Sequence, residues 1–265
     1  MKNFKLPIIS IIAVMVLSTV NAQQINIIPK PVKLSLSVDG EVHELPARVM
    51  VYYFNAEAAL LGEYLVGELS GLQGVKDVRV VQKKKLYDNR NLPGIHLYID
   101  RRSGLPSEGY RLSIDPGKIV ITGADYGGLF NGIQTLMQLF PGGEGKNATQ
   151  QGGKIFPKEN NNTPLVLITM ELPCLLIEDY PRFGYRGMHL DVARTFSTKE
   201  DVMRYIYNMS RYKINKFHWH LTDDEGWRIE IKAYPKLTGT GAFRGGDSPV
   251  MPIYGKWNER YGGYY

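Results

Sequence analysis

A strand–helix–strand pattern between residues 187 and 221 restricts the fold more than any other feature of the chain. Short apolar runs predict strands at Gly187–Val192 and Lys216–Leu221, on either side of a helix over Thr198–Tyr212. The apolar positions of that helix recur at helical spacing, at Val202, Tyr205, Ile206 and Met209. Ser197 or Thr198 is the expected N-cap. Two strands joined in this way lie parallel, in either an open doubly wound sheet or a closed barrel of eight strands.

The residues from Ile25 to about Phe140 follow a different pattern, in which short β-rich runs alternate with Gly and Pro breaks. The predicted strands are Arg48–Phe54, Val75–Gln82, Gly94–Asp100, Gly109–Ile114 and Lys118–Thr122. Leucines and Tyr64 at spacings of three and four predict a helix over Glu57–Leu69, and Asp125 is the expected cap of a second helix that stops at Pro141. This order predicts an α+β sandwich with both helices on one face of the sheet.

The first 22 residues have the composition of an export signal. Lys2 and Lys5 precede an apolar stretch, Leu6–Leu17, and small residues surround a cleavage point after Ala22. An uncleaved membrane anchor is the less favoured alternative, because no basic stop-transfer residues follow the stretch. We therefore expect an exported protein, periplasmic or secreted, with no membrane segment in its mature form. The predicted domains are an accessory domain over residues 23–178, with a flexible loop near 141–164, and a second region over 179–265.

Composition excludes several classes of protein. The net charge of +6 is not concentrated in one block, so the chain has no basic strip suited to nucleic acid. Cys174 is the single cysteine, which excludes a disulfide scaffold and a multi-cysteine zinc site, and we expect it to be a small buried apolar residue.

Candidate chemical groups concentrate at the carboxyl ends of the two predicted parallel strands. The run His218–Arg228 follows the second strand, and Arg194 lies just past the first. In parallel α/β folds ligands bind at that end. The planar donors of an arginine suit a pair of neighbouring hydroxyls or a carboxylate.

Spacing alone leaves three interpretations of this cluster open. The histidines and acidic residues could simply satisfy each other's hydrogen bonds. His218 and His220 alternate along a strand and could bind a metal, although a third ligand is not evident because His189 belongs to the other strand. Carboxylates together with an aromatic wall of Trp219 or Trp227 would suit carbohydrate hydrolysis.

Three segments of this region closely resemble the β-N-acetylhexosaminidases of glycoside hydrolase family 20. They are Tyr180–Arg194 (YPRFGYRGMHLDVAR), Lys213–Asp224 (KINKFHWHLTDD) and Gly226–Glu230 (GWRIE). Upstream, Gly109–Leu112 and Gly132–Leu136 resemble the α+β domain that precedes the barrel in that family. The resemblance implies an α+β domain followed by the first part of a (β/α)8 TIM barrel, with the two parallel strands as its first two.

The resemblance also implies a function and roles for two residues. The expected enzyme is exo-acting and hydrolyses terminal β-linked N-acetylglucosamine or N-acetylgalactosamine with retention, because the substrate's own acetamido oxygen attacks the anomeric carbon. By position, Arg194 matches the arginine that holds hydroxyls of the terminal sugar, and Asp223 matches a supporting aspartate. Neither a cofactor nor a metal is implied. His218 and His220 are then expected to have a structural role and not to bind a metal. The expected partners are β-linked N-acetylhexosamine glycans, with no nucleic acid.

The chain departs from the family pattern in one respect. The family's catalytic Asp-Glu pair lies in a His-x-Gly-Gly-Asp-Glu motif, which these 265 residues do not contain. Residues 180–265 are also too few for a whole barrel, which takes about 250 residues. We therefore expect a truncated barrel that is inactive by itself. The alternative is a secreted protein that binds amino sugars without cleaving them.

Overall fold

The computed structural model describes residues 25–37, 39–83, 92–140, 170–224, 226–248 and 258–265. The predicted export signal at 1–22 and the predicted loop at 141–164 lie outside the described residues.

A seven-stranded mixed sheet dominates the first region. Its strands are β1 (Lys33–Leu36), β3 (Arg48–Tyr53), β4 (Asp77–Gln82), β5 (Gly94–Ile99), β6 (Tyr110–Asp115), β7 (Lys118–Gly123) and β9 (Leu175–Asp179). Their spatial order is β1-β9-β6-β7-β5-β3-β4, with β7, β5, β3 and β4 mutually parallel and the other neighbours antiparallel. The five strands predicted between residues 48 and 122 are thus confirmed within two residues at each end.

Two helices pack together over one face of this sheet, as the sequence predicts. A short 3₁₀ turn (Ala56–Ala58) leads into α1 (Ala59–Ser70), which contacts β3 and β4, and α2 (Tyr126–Leu139) contacts β5, β6 and β7. Asp125 caps α2 by accepting a hydrogen bond from the Gly128 N–H at 2.8 Å, which confirms the predicted cap. Between the helices, Gln134 donates to the Tyr64 hydroxyl at 2.9 Å. Burial raises the pKa of Tyr64 to about 12.

Four strands of the first region go beyond the sequence prediction. β1 and β9 extend the sheet, while β2 (Val42–Leu45) and β8 (Met170–Pro173) form a separate antiparallel pair whose Leu45 and Leu172 join the same core. β9 lies between β1 and β6, so residues close to position 180 complete a sheet that begins near position 33. Cys174, between β8 and β9, is buried with a free thiol, as predicted.

The second region contains the predicted parallel strand pair. β10 (Gly187–Asp191) and β11 (Lys216–His220) pair in parallel from Gly187 opposite Lys216 to Asp191 opposite His220, and α3 (Lys199–Arg211) connects them. Thr198 caps α3 by accepting from the Asp201 N–H. Shorter elements follow: β12 (Thr222–Asp223), β13 (Gly226–Trp227), α4 (Lys236–Gly239), β14 (Phe243–Arg244) and β15 (Tyr261–Gly262). Within the described ranges these strands do not close into a barrel, and no helix there has the length and apolar character to cross a bilayer.

A buried charged network joins the two regions. Lys213, in the turn between α3 and β11, donates to Asp179 Oδ2 and to the Tyr110 hydroxyl, both at 2.9 Å. The Tyr110 hydroxyl donates to the same Asp179 oxygen at 3.0 Å and lies 2.5 Å from Thr135 Oγ1. The Lys213 and Asp179 side chains are only 7% and 10% exposed. Burial lowers the pKa of Lys213, an effect that Asp179 opposes, and raises the pKa of Tyr110 well above its ordinary value.

A second junction lies at the amino ends of β10 and β11. Glu108 accepts hydrogen bonds from Arg186 and, at 2.9 Å, from Asn215. Arg186 also donates to the carbonyls of Lys213 and Phe183. These bonds attach the start of each parallel strand to the loop that precedes β6.

Replacing Lys213 by Met should destabilise the fold strongly. The substitution leaves Asp179 buried without its cation, and removing one partner of a buried ion pair typically costs about 3–5 kcal/mol. Lys33→Met is the matched control, since Lys33 makes an ion pair of the same length, 2.9 Å, with Glu178 on the solvent-exposed side. Urea unfolding should show a large loss of unfolding free energy for Lys213→Met and no measurable loss for Lys33→Met. Equal losses would contradict the central role of the buried pair.

Candidate active site

The carboxyl ends of β10 and β11 place the two predicted site residues together. Asp191, the last residue of β10, lies opposite His220, the last of β11. Arg194 follows β10 by three residues and Asp223 follows β11 by three. The parallel register therefore brings both loops to one edge, and Arg194 Nη2 lies 2.8 Å from Asp223 Oδ2.

Two carboxylates fix the Arg194 guanidinium. Asp191 Oδ1 accepts from the backbone N–H groups of Ala193 and Arg194, both at 3.0 Å, and Asp191 Oδ2 accepts from Arg194 Nη1 at 2.5 Å. Asp223 holds the other terminal nitrogen. The Arg194 side chain is nevertheless 46% exposed, so the guanidinium is oriented while part of it faces solvent. The hydrogen bond to Asp191, followed by the charge of Asp223, raises the pKa of Arg194.

Neighbouring donors favour the ionised form of Asp223. The Asp224 backbone N–H donates to Asp223 Oδ1 at 2.7 Å, and His220 Nε2 lies 2.9 Å from Asp223 Oδ2. The Asp224 N–H is the largest cause that lowers the pKa of Asp223, with Arg194 and His220 adding to it. For Asp191, partial burial would by itself raise the pKa, but the hydrogen bonds from the Arg194 backbone and side chain outweigh it and the pKa is lowered.

Three imidazoles lie side by side on the two strands. His189 pairs with His218 in register, with ring centroids 4.6 Å apart, and His220 lies 5.7 Å from His189 and 6.4 Å from His218. The sequence argument set His189 aside because it belongs to the other strand, whereas parallel pairing makes it a direct neighbour. Within the described part of the chain, no three His, Cys, Asp or Glu side chains are arranged to hold a metal ion.

Both domain models of one family match the chain. The model described as glycosyl hydrolase family 20, domain 2, matches residues 24–180, and the family's catalytic-domain model matches residues 183–265. The chain belongs to glycoside hydrolase family 20.

Similar family 20 proteins are much longer than the matched part. A β-hexosaminidase of Porphyromonas gingivalis is 35% identical over 220 residues, which are 83% of this chain and 25% of that protein. One of Vibrio furnissii is 41% identical over 156 residues, or 59% of this chain and 22% of that protein. The chain thus spans about a quarter of the length of these relatives.

Solved structures of the family are also similar. A family 20 exo-β-N-acetylglucosaminidase of Vibrio harveyi, in complex with N-acetylglucosamine, has a TM-score of 0.69 and 32% identity, covering 90% of this chain and 32% of that one. A mutant β-hexosaminidase of Streptomyces plicatus, in complex with the product GlcNAc, has a TM-score of 0.66 and 30% identity. The match covers 90% of this chain and 40% of that one.

Trp219, one of the two tryptophans that could have formed an aromatic wall for a sugar, packs away from the imidazoles. Its ring packs on Phe217, at 5.9 Å, and edge-on against Tyr265, at 4.7 Å. Phe217 in turn contacts Tyr205 of α3, so strand alternation places Trp219 on the helix-covered face, opposite His218 and His220. Trp227 Nε1 donates to the Ile229 carbonyl at 2.7 Å. Of the two tryptophans considered for an aromatic wall, Trp219 is therefore excluded by its packing.

Sequence reasoning also missed Asp191, the residue that holds both the backbone and the side chain of Arg194. The available signal was its position three residues before the arginine at the end of a predicted strand. An aspartate there can accept from the N–H groups two and three residues later, as N-caps and Asx-turns do.

Asp191 and Asp223 should titrate below the ordinary aspartate pKa of 3.8 in the folded protein. Because the folded-state pKa is the lower one, their contribution to stability is present above the unfolded pKa and is lost as the pH falls through the folded pKa. Carbon-13 NMR of the side-chain carboxyls would measure both midpoints. Arg194→Gln should move both midpoints towards the ordinary aspartate pKa without reaching it, because the backbone N–H donors remain. Unchanged midpoints in that variant would show that the arginine is not paired as described.

Proposed function

We propose that the whole protein is an exo-acting β-N-acetylhexosaminidase that releases terminal β-linked N-acetylglucosamine or N-acetylgalactosamine with retention of configuration. The observation that carries the proposal is the Arg194 guanidinium, held by Asp191 and Asp223 yet 46% exposed at the carboxyl ends of two parallel strands. Family membership supports the reaction class, and the N-acetylglucosamine complexes of the Vibrio harveyi and Streptomyces plicatus proteins support the sugar.

The Arg194 site has the chemistry that neighbouring sugar hydroxyls require. A guanidinium carries five N–H donors in a plane, and the two described ion pairs engage one terminal nitrogen each. Donors beyond these two contacts can reach adjacent hydroxyl oxygens, while the flanking carboxylates can accept from the hydroxyl hydrogens. A neutral polyol needs both kinds of group, and the site supplies both within one cluster.

In this proposal β10 and β11 are the first two strands of a (β/α)8 barrel, and Asp223 is a supporting residue. The 2-acetamido oxygen of the substrate forms a bond to the anomeric carbon as the glycosidic bond breaks, and a glutamic acid protonates the leaving oxygen. A neighbouring aspartate orients the acetamido group. The motif that carries this aspartate and glutamate in the resembling enzymes does not occur among the 265 residues, so the present residues supply sugar binding and support.

We also propose that the protein is exported through its first 22 residues, to the periplasm or the exterior, and that its mature form acts on glycans without a cofactor. The charged start and apolar stretch of that segment support this. A non-catalytic, secreted amino-sugar-binding protein is the second candidate. The observation in its favour is that the 265 residues contain Arg194 and do not contain the His-x-Gly-Gly-Asp-Glu motif.

The whole protein should hydrolyse a chromogenic N-acetyl-β-glucosaminide with retention. The matching β-glucoside should be a very poor substrate, because its 2-hydroxyl cannot replace the acetamido nucleophile. The 265 residues alone should show no hydrolysis above background but should bind N-acetylglucosamine, as followed by NMR. Equal turnover of both glycosides would contradict substrate assistance, and binding without hydrolysis by the whole protein would favour the second candidate.

Arg194→Lys should lower kcat/KM of the whole protein by on the order of 10²-fold, because lysine keeps the charge but loses the planar set of donors. Arg204→Lys is the matched control, since Arg204 is an exposed arginine of α3 that pairs with Asp201 three residues earlier, much as Arg194 pairs with Asp191. Steady-state kinetics should show near wild-type values for the control. Similar kinetics for both variants would mean that Arg194 does not hold the sugar.

A further inference from the structure

Arg228 is the largest side chain in the described structure that is completely shielded from solvent. Its guanidinium is surrounded by backbone carbonyl oxygens. Nε donates to Val192 at 2.8 Å, Nη2 donates to Ala193 at 2.7 Å, and Nη1 donates to Gly263 at 3.2 Å and, at a shorter distance, to Ala242. The central carbon of the guanidinium, Cζ, lies over the Phe196 ring, 5.6 Å from the ring centroid. Every nitrogen of the group thus has a carbonyl partner.

The carbonyl partners come from three separate segments that meet beside the site. Val192 and Ala193 are the two residues between β10 and Arg194. Ala242 precedes β14, and Gly263 follows β15, the strand that pairs with β14. Arg228 itself is connected through its own backbone, because its N–H donates to Leu221 and its carbonyl accepts from Tyr265. One side chain therefore sets the relative positions of the Arg194 turn and the segments around it.

No carboxylate within the described residues forms an ion pair with Arg228, although burying a charge in this way is costly. Burial lowers the pKa of Arg228, and the nearby charge of Arg244 adds to that effect. An apolar side chain of similar size would fill the same space without this cost but would leave four carbonyl groups without these donors. The arrangement is thus suited to fixing backbone positions more than to adding stability.

The surroundings of Arg228 are built closely around the guanidinium. A Cβ atom on Gly226 would overlap the guanidinium itself. Gly262 has φ of +141°, which favours glycine, and a Cβ there would meet Nη1 at 2.9 Å. Val192, Ala193 and Ala242 are themselves completely buried. This packing leaves little room for the Arg194 turn to shift.

We propose that Arg228 is a positioning residue for Arg194: its planar donors hold the carbonyls of Val192 and Ala193, and through them the turn that presents the Arg194 guanidinium to the sugar. The sugar-binding part of this inference rests on the proposed function. A lysine at this position offers a single ammonium, which cannot reach four carbonyls spread around a plane. Arg228→Lys should accordingly displace Arg194 while retaining the charge.

The test compares Arg228→Lys with Arg186→Lys in the same chain. Arg186 precedes β10 at its opposite end and also donates to two backbone carbonyls, those of Lys213 and Phe183, in addition to Glu108. Both variants should lower Tm, since each loses hydrogen bonds to buried or half-buried groups. N-acetylglucosamine titrations, followed by NMR, should show binding weakened by about tenfold or more for Arg228→Lys only. Unchanged binding in Arg228→Lys, or equal weakening in both variants, would overturn the proposal.

A second measurement needs no sugar and separates this inference from the proposed function. Carbon-13 NMR of Asp191 and Asp223 reports whether Arg194 still lies between them. Arg228→Lys should raise both carboxyl midpoints relative to wild type and Arg186→Lys should leave them unchanged. Raised midpoints in a chain that does not bind N-acetylglucosamine would support the positioning role and contradict the sugar site, and unchanged midpoints would overturn the positioning role. If Arg228→Lys does not fold, Arg228→Gln, which keeps a planar amide with two N–H donors, is judged by the same criteria.

Discussion

The buried ammonium of Lys213 is the constraint on which the arrangement of the two regions depends. A cation that is 7% exposed must be paired, and its partners, Asp179 at the end of β9 and Tyr110 at the start of β6, belong to the sheet of the first region. Meeting this requirement brings α3 onto the ends of α1 and α2. There Tyr207 donates to Glu68, and Gln138 donates to the Arg211 carbonyl, both at 2.9 Å.

The two strained backbone positions lie where the two regions meet. Glu108 and Lys213 have φ of 57° and 61°, and they are the non-glycine residues with positive φ among those described. Each is held there by its side chain: Glu108 by Arg186 and Asn215, and Lys213 by Asp179. The amino ends of β10 and β11 are thereby attached to the first region. Their carboxyl ends, at the other end of each five-residue strand, remain available for the polar cluster around Arg194.

Local patterns in the sequence predicted local structure well, while pairings between distant segments were missed. The five strands from 48 to 122, the cap at Asp125 and the parallel strand pair follow from periodicity within short windows. β9 was missed because its place between β1 and β6 is decided by partners far away in the sequence. The same alternation that puts His218 and His220 on one face requires Trp219 to face the helix, so the sequence itself could have excluded Trp219 from the aromatic wall. His189 became a neighbour of His218 only through the strand register.

Arg194, which follows β10, and Arg228, which follows β13, show how the same chemical group serves two tasks in two environments. Arg194 has carboxylate partners and remains half exposed, so its charge is balanced locally and donors remain for a ligand. Arg228 has carbonyl partners and no exposure, so its donors are all committed to the backbone. The two are linked through Ala193, whose N–H donates to Asp191 and whose carbonyl accepts from Arg228. The buried Arg228 therefore holds the same turn of main chain that carries the exposed Arg194.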